Sequence, residues 1–326
     1  MKKISPGDRC IVVGAGISGL LASKCLAAGG VDVTVLDKGR GVGGRMATRR
    51  LDRAIFDHGA QFITVRDPGF AQLMEEWTAE GLIGEWTRGF PKPGTVQPDG
   101  HPRYFVKHGM TAVPKYLARG LKVHTHARVA EITLDGNWHV RLDSGETLTA
   151  EGLILTAPVP QSMDLLDIGG VELPEPEDAQ LRAIQYHPCL TWMALPTSDR
   201  TLGPPGGVQF LHGSLQFLAD NRQKGISETP AITVHASPAF SREHFSGDEI
   251  DNWALIVEEV AQFTGPIRRA SFQRWRYSQP VESRPERAVA VEMDAALVFC
   301  GDAFGGPRIE GAALSGMAAA RLIMNA

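Results

Sequence analysis

An α/β fold of two interleaved domains is predicted by three features of the sequence. A fully apolar strand at 10–13 runs straight into a glycine turn at 14–19 and then a helix of small residues. A meander of short strands fills 121–156. A last apolar strand at 296–300 is followed by Gly301-Asp302 and a second small-residue helix over about 311–323. The first and last features describe one nucleotide-binding domain of Rossmann type, and the chain between them supplies a second domain on a mixed or antiparallel sheet.

In order along the chain, the first unit reads strand, turn, helix, strand. Cys10-Ile11-Val12-Val13 is the strand, Gly14 to Gly19 the turn and Leu20 to Ala28 the helix, which Gly29-Gly30 ends before the strand Val31 to Leu36. Residues 69–80 carry Phe70, Leu73, Met74 and Trp77 at helical spacing, and 111–119 predicts a short helix. Proline and glycine over 89–100 predict an extended loop. The meander comprises 121–124, 128–134 and 138–142 with turns at Asp135-Gly136-Asn137 and Ser144-Gly145, then Leu148 and the strand 153–156, broken at Pro158. Further strands are predicted at 189–195, 208–212 and 231–235, and a helix at 247–263. The nucleotide domain is expected from 1–62, 104–160 and 286–326, and the second domain from 63–103 and 161–285. Interleaving of this kind puts a large ligand between the domains.

Composition narrows the function. The 326 residues carry 33 Lys plus Arg against 37 Asp plus Glu, a net charge of −4, which lends no support to a nucleic-acid or membrane binder. Arg268-Arg269 and Arg274-Trp275-Arg276-Tyr277 form a local basic-aromatic run, but Phe272 and Trp275 at that spacing read as core packing with solvated arginines between. Lys2 and Lys3 are followed by Pro6, Gly7, Asp8 and Arg9 before any apolar run, so neither a signal peptide nor a membrane span is expected. The four cysteines form no Cys-x-x-Cys pair or Cys/His cluster, and His124 and His126 read as one face of a strand. A cytoplasmic protein without a bound metal is the expectation.

The 36 glycines, about 11% of the chain against a usual ~7%, gather beside apolar segments, as they do where backbone approaches a ligand. Gly14, Gly16 and Gly19 form Gly-x-Gly-x-x-Gly between a strand and a helix, the context in which the pattern binds a pyrophosphate. Aligned N–H groups at the helix start suit phosphate oxygens. Asp37 closes the second strand, 23 residues after Gly14, where its carboxylate suits adenosine ribose hydroxyls and disfavours a 2′-phosphate. The continuation through Lys38, Gly43, Gly44 and Arg45 adds a second glycine turn and a guanidinium fork for the same pyrophosphate.

On these motifs the chain resembles the flavin-containing amine oxidase superfamily, whose members carry an acidic residue followed by a Gly-Gly-Arg turn; Asp37 stands where glutamate is more frequent. The resemblance extends to Asp57-His58-Gly59-Ala60-Gln61-Phe62, to the strand ending near Thr156, and to Gly301-Asp302 with Glu310-Gly311-Ala312. It implies cofactor contacts from Gly14, Gly16, Ile17, Ser18, Gly19, Asp37, Lys38, Gly43, Gly44, Arg45, Gly59, Ala60, Gln61, Phe62, Val129, Thr156, Gly301, Asp302, Glu310, Gly311 and Ala312. It also implies that Asp302 approaches the ribityl or pyrophosphate region, and that the last helix points its N-terminus at the flavin C2 carbonyl. Without a cysteine at a matching position, non-covalent FAD is expected.

More narrowly, the chain looks like a bacterial renalase-like protein. The stretches Gly109 to Ala112, Leu218 to Lys224, His235 to Ser237 and Arg274 to Tyr277 carry that likeness. It implies an FAD oxidase that returns 2- or 6-dihydro isomers of NAD(P)H to NAD(P)+ by hydride transfer to flavin N5, with oxygen reduced to hydrogen peroxide. The other readings are an FAD-dependent oxidase of a small amine and a flavin-bound redox or structural module without turnover. Candidate donor-site residues are Gln61, Asn221, His235, Trp192 and Trp275. His235 either donates to the donor's amide or bonds backbone at a strand end. Asn221 and Arg222 either recognise amide or phosphate groups or form a polar surface loop. Each tryptophan either walls a flat substrate or packs in the core. Oligomeric state is left open by the sequence.

Overall fold

The computed structural model describes residues 2–91, 100–199 and 202–324. Most of the loop expected over 89–100 falls at 92–99, outside the described residues.

The chain opens with strand β1 (Arg9–Val13), helix α1 (Ile17–Ala28) and strand β2 (Asp32–Leu36). Strands β3 (Thr48–Leu51) and β4 (Ala54–Asp57) precede helix α2 (Pro68–Ala79) and strands β5 (Ile83–Thr87) and β6 (Arg103–Val106). Helix α3 (Ala112–Leu117) leads into β7 (Lys122–His124), β8 (Val129–Asp135), β9 (Asn137–Leu142), β10 (Thr147–Ala150) and β11 (Gly152–Leu155). Helices α4 (Val159–Ile168) and α5 (Glu177–Arg182) come next. They give way to β12 (Tyr186–Pro196), β13 (Gly207–Gln209), β14 (Leu215–Asp220) and β15 (Ile232–Ala236). Helices α6 (Pro238–Glu243), α7 (Glu249–Ala254) and α8 (Val257–Thr264) lead to the long strand β16 (Ile267–Pro280). Strands β17 (Val289–Ala290) and β18 (Ala296–Phe299) and helix α9 (Arg308–Met324) end the chain.

Two compact units result, one of Met1–Gly44, Pro114–Gln185 and Gln279–Ala326, the other of Arg45–Val113 and Tyr186–Ser278. These limits differ from the expected ones. Residues 45–62 and 104–113 join the second unit because the β3–β4 hairpin is bonded there: Thr48 N donates to Thr111 Oγ1 at 2.6 Å, and Met110 N to Asp57 Oδ1 at 2.7 Å. Residues 161–185 and 279–285 join the first unit: Lys38 Nζ reaches Gln161, α4 packs on β8, and Arg284 N donates to Ala303 O at 2.8 Å.

The first unit is a six-stranded sheet of order β17-β18-β11-β1-β2-β7, parallel except at the β17–β18 edge, with β8, β9 and β10 forming a separate antiparallel sheet. Every residue of β11 and β18 is buried, as expected of parallel strands covered on both faces. Pro158, expected only to break the chain, caps α4, since its fixed φ suits a helix entry. The reading of His124 and His126 as one strand face is corrected. Strand β7 ends at His124, while His126 takes a φ of 57° and donates its N–H to Gly39 O.

The second unit is a five-stranded sheet of order β13-β14-β15-β12-β16, with antiparallel pairing at β13–β14, β14–β15 and β15–β12, and two hairpins, β3–β4 and β5–β6. The helix expected over 247–263 is two helices separated at Leu255-Ile256. Side chains alternate along β12, β14 and β15, so one face carries Leu190, Trp192, Leu218 and Val234 and packs on Phe240, Ile256 and Val260 of the helical segment. Among the described residues, no helix is long and apolar enough to cross a membrane.

Helices α1 and α9 meet at their backbones. A Cβ added to Gly316 would lie 2.0 Å from Ser18 O, and one added to Gly19 would lie 2.0 Å from Gly14 O. Neither obstacle is a flexible side chain, so glycine is required at both. Gly316→Val should therefore cost about 3 kcal/mol through overpacking, read as a lower urea midpoint; an unchanged midpoint would mean that α9 retreats freely from α1.

Candidate functional site

The first unit presents a candidate phosphate cradle at the carboxyl edge of its parallel strands. Gly14 has a φ of 112° and ends β1; Thr156 Oγ1 donates to Val13 O at 2.9 Å and would lie 2.4 Å from a Gly14 Cβ. Gly16 caps α1 without any side-chain cap hydrogen bond, and a Cβ built on it meets nothing within 4 Å. A helix start without a side-chain cap and with open space at Gly16 is the kind of backbone arrangement that suits an anion. The second glycine turn lies against the first, with Gly43 N donating to Ala15 O at 2.8 Å and a Gly44 Cβ 3.7 Å from Gly16 Cα.

Asp37 is more engaged than its expected ribose role requires. Its Oδ2 accepts from Ala15 N at 2.7 Å and its Oδ1 from Gly39 N at 2.6 Å, so the carboxylate ties both glycine turns together. A carboxylate offers about four acceptor sites, which leaves capacity for ribose hydroxyls. Ile17 and Ser18 are buried in the first turn of α1, where Ser18 Oγ donates to Cys300 Sγ. Ala127 N donates to the backbone carbonyl of Asp37 at 2.9 Å, two residues before Val129 at the start of β8. Gly301, at φ 138°, donates to Ser315 Oγ, and Asp302 follows it, mostly buried. Glu310, Gly311 and Ala312 form the first turn of α9; a Gly311 Cβ would meet Gly306 O at 1.8 Å.

The remaining expected residues lie in the second unit. Arg45 Nη1 donates to the carbonyls of Tyr277 and Ser278 at 3.3 Å each, so its guanidinium is anchored on backbone. A Gly59 Cβ would lie 2.1 Å from Arg45 O, and Ala60 N donates to that carbonyl at 2.9 Å. Phe62 joins an aromatic cluster with Trp86, Phe90 and Phe217, its ring 5.2 Å from Phe90.

Around the turn 57–61 lies a buried polar cluster. His58 O accepts from Trp275 Nε1 at 3.0 Å and contacts His235 Nε2 at 3.3 Å, and the His58 ring stacks on Trp275 with centroids 5.2 Å apart. Gln61 donates both amide hydrogens, to Asp57 O at 2.6 Å and Gly59 O at 3.0 Å. That orients its Oε1, which is buried without a partner, as is His58 Nδ1. Burial, with the Arg49 cation and then His235, pushes His58 down to about 3. Burial also lowers His235 to about 4, against a raising backbone contact with His58 and aided by the Lys224 charge. Both imidazoles are therefore neutral near pH 7.

Of the five candidate donor-site residues, the structure gathers Gln61, His235 and Trp275. It corrects Trp192. Thr191 pairs with His235 and Trp192 with Val234, so Trp192 faces the opposite side of the sheet, fully buried between Trp253 and Phe272. It corrects Asn221 as a donor contact: its Oδ1 accepts from Asp57 N, and its two amide hydrogens go to Ala231 O and Thr233 Oγ1. Arg222 pairs with Asp199 at 2.9 Å. The Asp57–Lys224 ion pair, Nζ to Oδ2 2.7 Å with both side chains wholly buried, was not singled out from the sequence. Both residues sit inside quoted motifs, and a lysine ending a strand-loop segment was the available signal. Among the described residues, no group of three His, Cys, Asp or Glu side chains could hold a metal ion.

Two family models match successive parts of the chain, an NAD(P)-binding Rossmann-like domain over 12–77 and a flavin containing amine oxidoreductase over 89–192. Over those residues the chain is similar to flavin containing amine oxidoreductases. Its fold is an FAD-binding fold, and the glycine cradle with Asp37 fits that cofactor. Mouse renalase is 26% identical to this chain over 91% of its residues and 93% of the renalase length. A double mutant of putrescine oxidase shares the fold with a TM-score of 0.74 at 17% identity, covering 99% of this chain and 100% of that one. Wild-type putrescine oxidase bound to putrescine gives 0.71 at 16% identity, covering 98% and 99%.

The neutral histidines set a pH dependence. Unfolded imidazoles titrate near 6.5 and these folded ones near 3 and 4, so between about pH 6 and 4 the unfolded chain binds more protons. Stability must fall as pH falls through that window, by roughly 2.5 kcal/mol per pH unit near pH 5 from about two protons. Urea midpoints measured from pH 7 to 4.5 should show the slope, and the double variant His58→Phe, His235→Gln should flatten it. An equal slope in both proteins would assign it to carboxylates instead.

Proposed function

We propose that the protein is an FAD-dependent oxidase that takes a hydride from a carbon bonded to nitrogen in a neutral donor. The observation that carries this reading is the charge balance of the polar cluster in the second unit. His58 and His235 are neutral, and the Asp57 carboxylate is matched by the Lys224 ammonium. Such a cluster offers no counter-charge to an ammonium ion, but it suits an uncharged donor whose nitrogen lone pair is free to assist hydride departure. The glycine turns with Asp37 would hold FAD, which would supply a two-electron acceptor that oxygen can reoxidise with formation of hydrogen peroxide. The chain's own part is to bind the donor, orient it and exclude water.

A small amine, bound as its free base, is the donor favoured by the flavin containing amine oxidoreductase model and by the fold shared with putrescine oxidase. A second reading, oxidation of a 2- or 6-dihydro isomer of NAD(P), is favoured by similarity to renalase over nearly the whole chain. Its reducing carbon also adjoins a nitrogen, so the two donors call for the same chemistry at the flavin.

We read the flavin as non-covalent. Burial pushes the Cys189 thiol up to about 11 and Cys300 to about 12 and raises Cys10, so these three are poor nucleophiles. All four cysteines are free, which suits the reducing, cytoplasmic setting we propose.

The deciding experiment is anaerobic mixing of the flavin-loaded protein with small amines, 2- and 6-dihydroNAD(P) and NADH, followed by visible absorbance. Bleaching by one donor class and recovery in air, with peroxide formed, identifies the donor. No bleaching by any of them would leave the flavin-bound module without turnover. Separately, Asp37→Ala removes a charged hydrogen-bond acceptor and should weaken FAD binding about 10- to 100-fold. Retention of FAD on desalting equal to that of the unaltered protein would sink the assigned role of Asp37.

A further inference from the structure

The parallel sheet of the first unit has a second edge that the cradle does not use. Arg9, Asp32 and Lys122 are the first residues of β1, β2 and β7, whereas the glycine turn follows the last residue of β1. The length of β1 separates the two edges by about 13 Å. At the amino edge a cavity of about 200 Å³ lies between the sheet and β10, which contributes Leu148 and Thr149. Cofactors of open α/β sheets gather at the carboxyl edge, so FAD does not account for this cavity.

Strand register explains the lining. Arg9 pairs with Asp32, Ile11 with Thr34, and Thr34 with Lys122. Paired residues share a sheet face and the face alternates along each strand, so these five side chains stand together on the side toward β10. Ile11 and Thr34 are buried and form the floor, while Arg9, Asp32 and Lys122 are exposed at the rim.

The polar groups of this lining are unequally engaged. The Arg9 guanidinium is already matched, Nη2 donating to Glu151 Oε1 at 2.7 Å and Nη1 to Thr149 Oγ1 at 3.1 Å. Among the described residues, no hydrogen bond or ion pair reaches the Asp32 carboxylate, the Lys122 ammonium or the Thr34 hydroxyl. Water serves the two exposed charges. The hydroxyl belongs to a side chain only 8% exposed, and what exposure it has is to the cavity. Asp32 stands two residues and one strand away from Lys122, about 8 Å between backbones, so the two charges form separate poles.

We propose that this cavity binds a short amino acid whose ammonium and carboxylate are separated by a few methylenes. The carboxylate engages Lys122 and the Thr34 hydroxyl, neighbours across the ladder, and the ammonium engages Asp32. The methylenes lie against Ile11 and Leu148. At about 30 Å³ for each water-sized atom, the cavity holds a solute of about seven non-hydrogen atoms, too few for a nucleotide or a peptide. A ligand of single charge leaves one pole unmatched. The site is separate from the cradle and does not depend on which donor the flavin oxidises.

The probe is 4-aminobutyrate, with butyrate and butylamine as controls that each lack one charge, titrated into the flavin-loaded protein and followed by 15N-resolved NMR. A solute this small with contacts at an exposed rim binds at about millimolar strength. The amides at the starts of β1, β2 and β7 should shift with 4-aminobutyrate, and each control should bind about fivefold more weakly or worse. Lys122→Met, at an exposed position, should weaken 4-aminobutyrate about 5- to 10-fold, and Thr34→Val, which keeps the shape and removes the hydroxyl, about threefold or more. Either of two results overturns the proposal: no shifts at these amides up to about 20 mM probe, or equal affinity for all three probes. Unchanged affinity in both variants, with the shifts elsewhere in the chain, likewise removes the site from this cavity.

Discussion

The first unit depends on backbone meeting backbone at one edge of a parallel sheet. Gly14, Gly19 and Gly316 each stand where a Cβ would come within 2.0–2.4 Å of another atom, backbone oxygen at two of them and Thr156 Oγ1 at the third. Glycine costs conformational entropy in a helix. Here that cost is offset because α1 and α9 approach closely enough for Ser18, Cys300 and Ser315 to link helix to strand end. The same compression leaves the start of α1 bare of side chains. Tight packing and an uncapped helix start are therefore two consequences of one constraint, and Asp37 adds the polar tie that keeps the two glycine turns in register.

The second unit solves a different problem, a sheet with unlike faces. Alternation along β12, β14 and β15 sends Leu190, Trp192, Leu218 and Val234 to the helices and His235, Thr233 and Phe217 to the other side. The polar side is satisfied locally: Thr233 and Asn221 bond the Asp57 backbone, and Lys224 matches its carboxylate. The result is a buried polar layer with almost no net charge.

Local pattern carried the cradle. The glycine spacing, the strand before it and Asp37 all lie within one short segment, so the βαβ unit was legible before any tertiary contact was known. The resemblance to flavin-containing amine oxidases was legible for a related reason, since the motifs that carry it are glycine-rich and tolerate few side chains. Register was not legible. Trp192 and His235 both sit in apolar strands, and only the Thr191–His235 pairing reveals that they face opposite ways. Asn221 looked like a recognition residue because nothing near it in sequence uses its amide; its partners are Asp57, Ala231 and Thr233. The β3–β4 hairpin was passed over because Arg49 and Arg50 mask its alternation, and its place in the second unit rests on contacts with Met110 and Thr111.

Unpartnered buried atoms in this unit are not equivalent. Trp192 Nε1 lies in an aromatic stack with Trp253 and Phe272, where the area buried by a large ring outweighs one lost hydrogen bond. Gln61 has no such compensation. Its carbonyl oxygen is desolvated at a cost of about 1–3 kcal/mol, yet its amide group is held by two donated bonds that prevent it from turning elsewhere. His58 repeats the arrangement, its ring fixed against Trp275 and its Nδ1 bare. A flexible surface would let both side chains relax to water. Here the Asp57 hub denies them that freedom, since its carboxylate and backbone are bonded to Thr48, Met110, Lys224, Asn221 and Thr233.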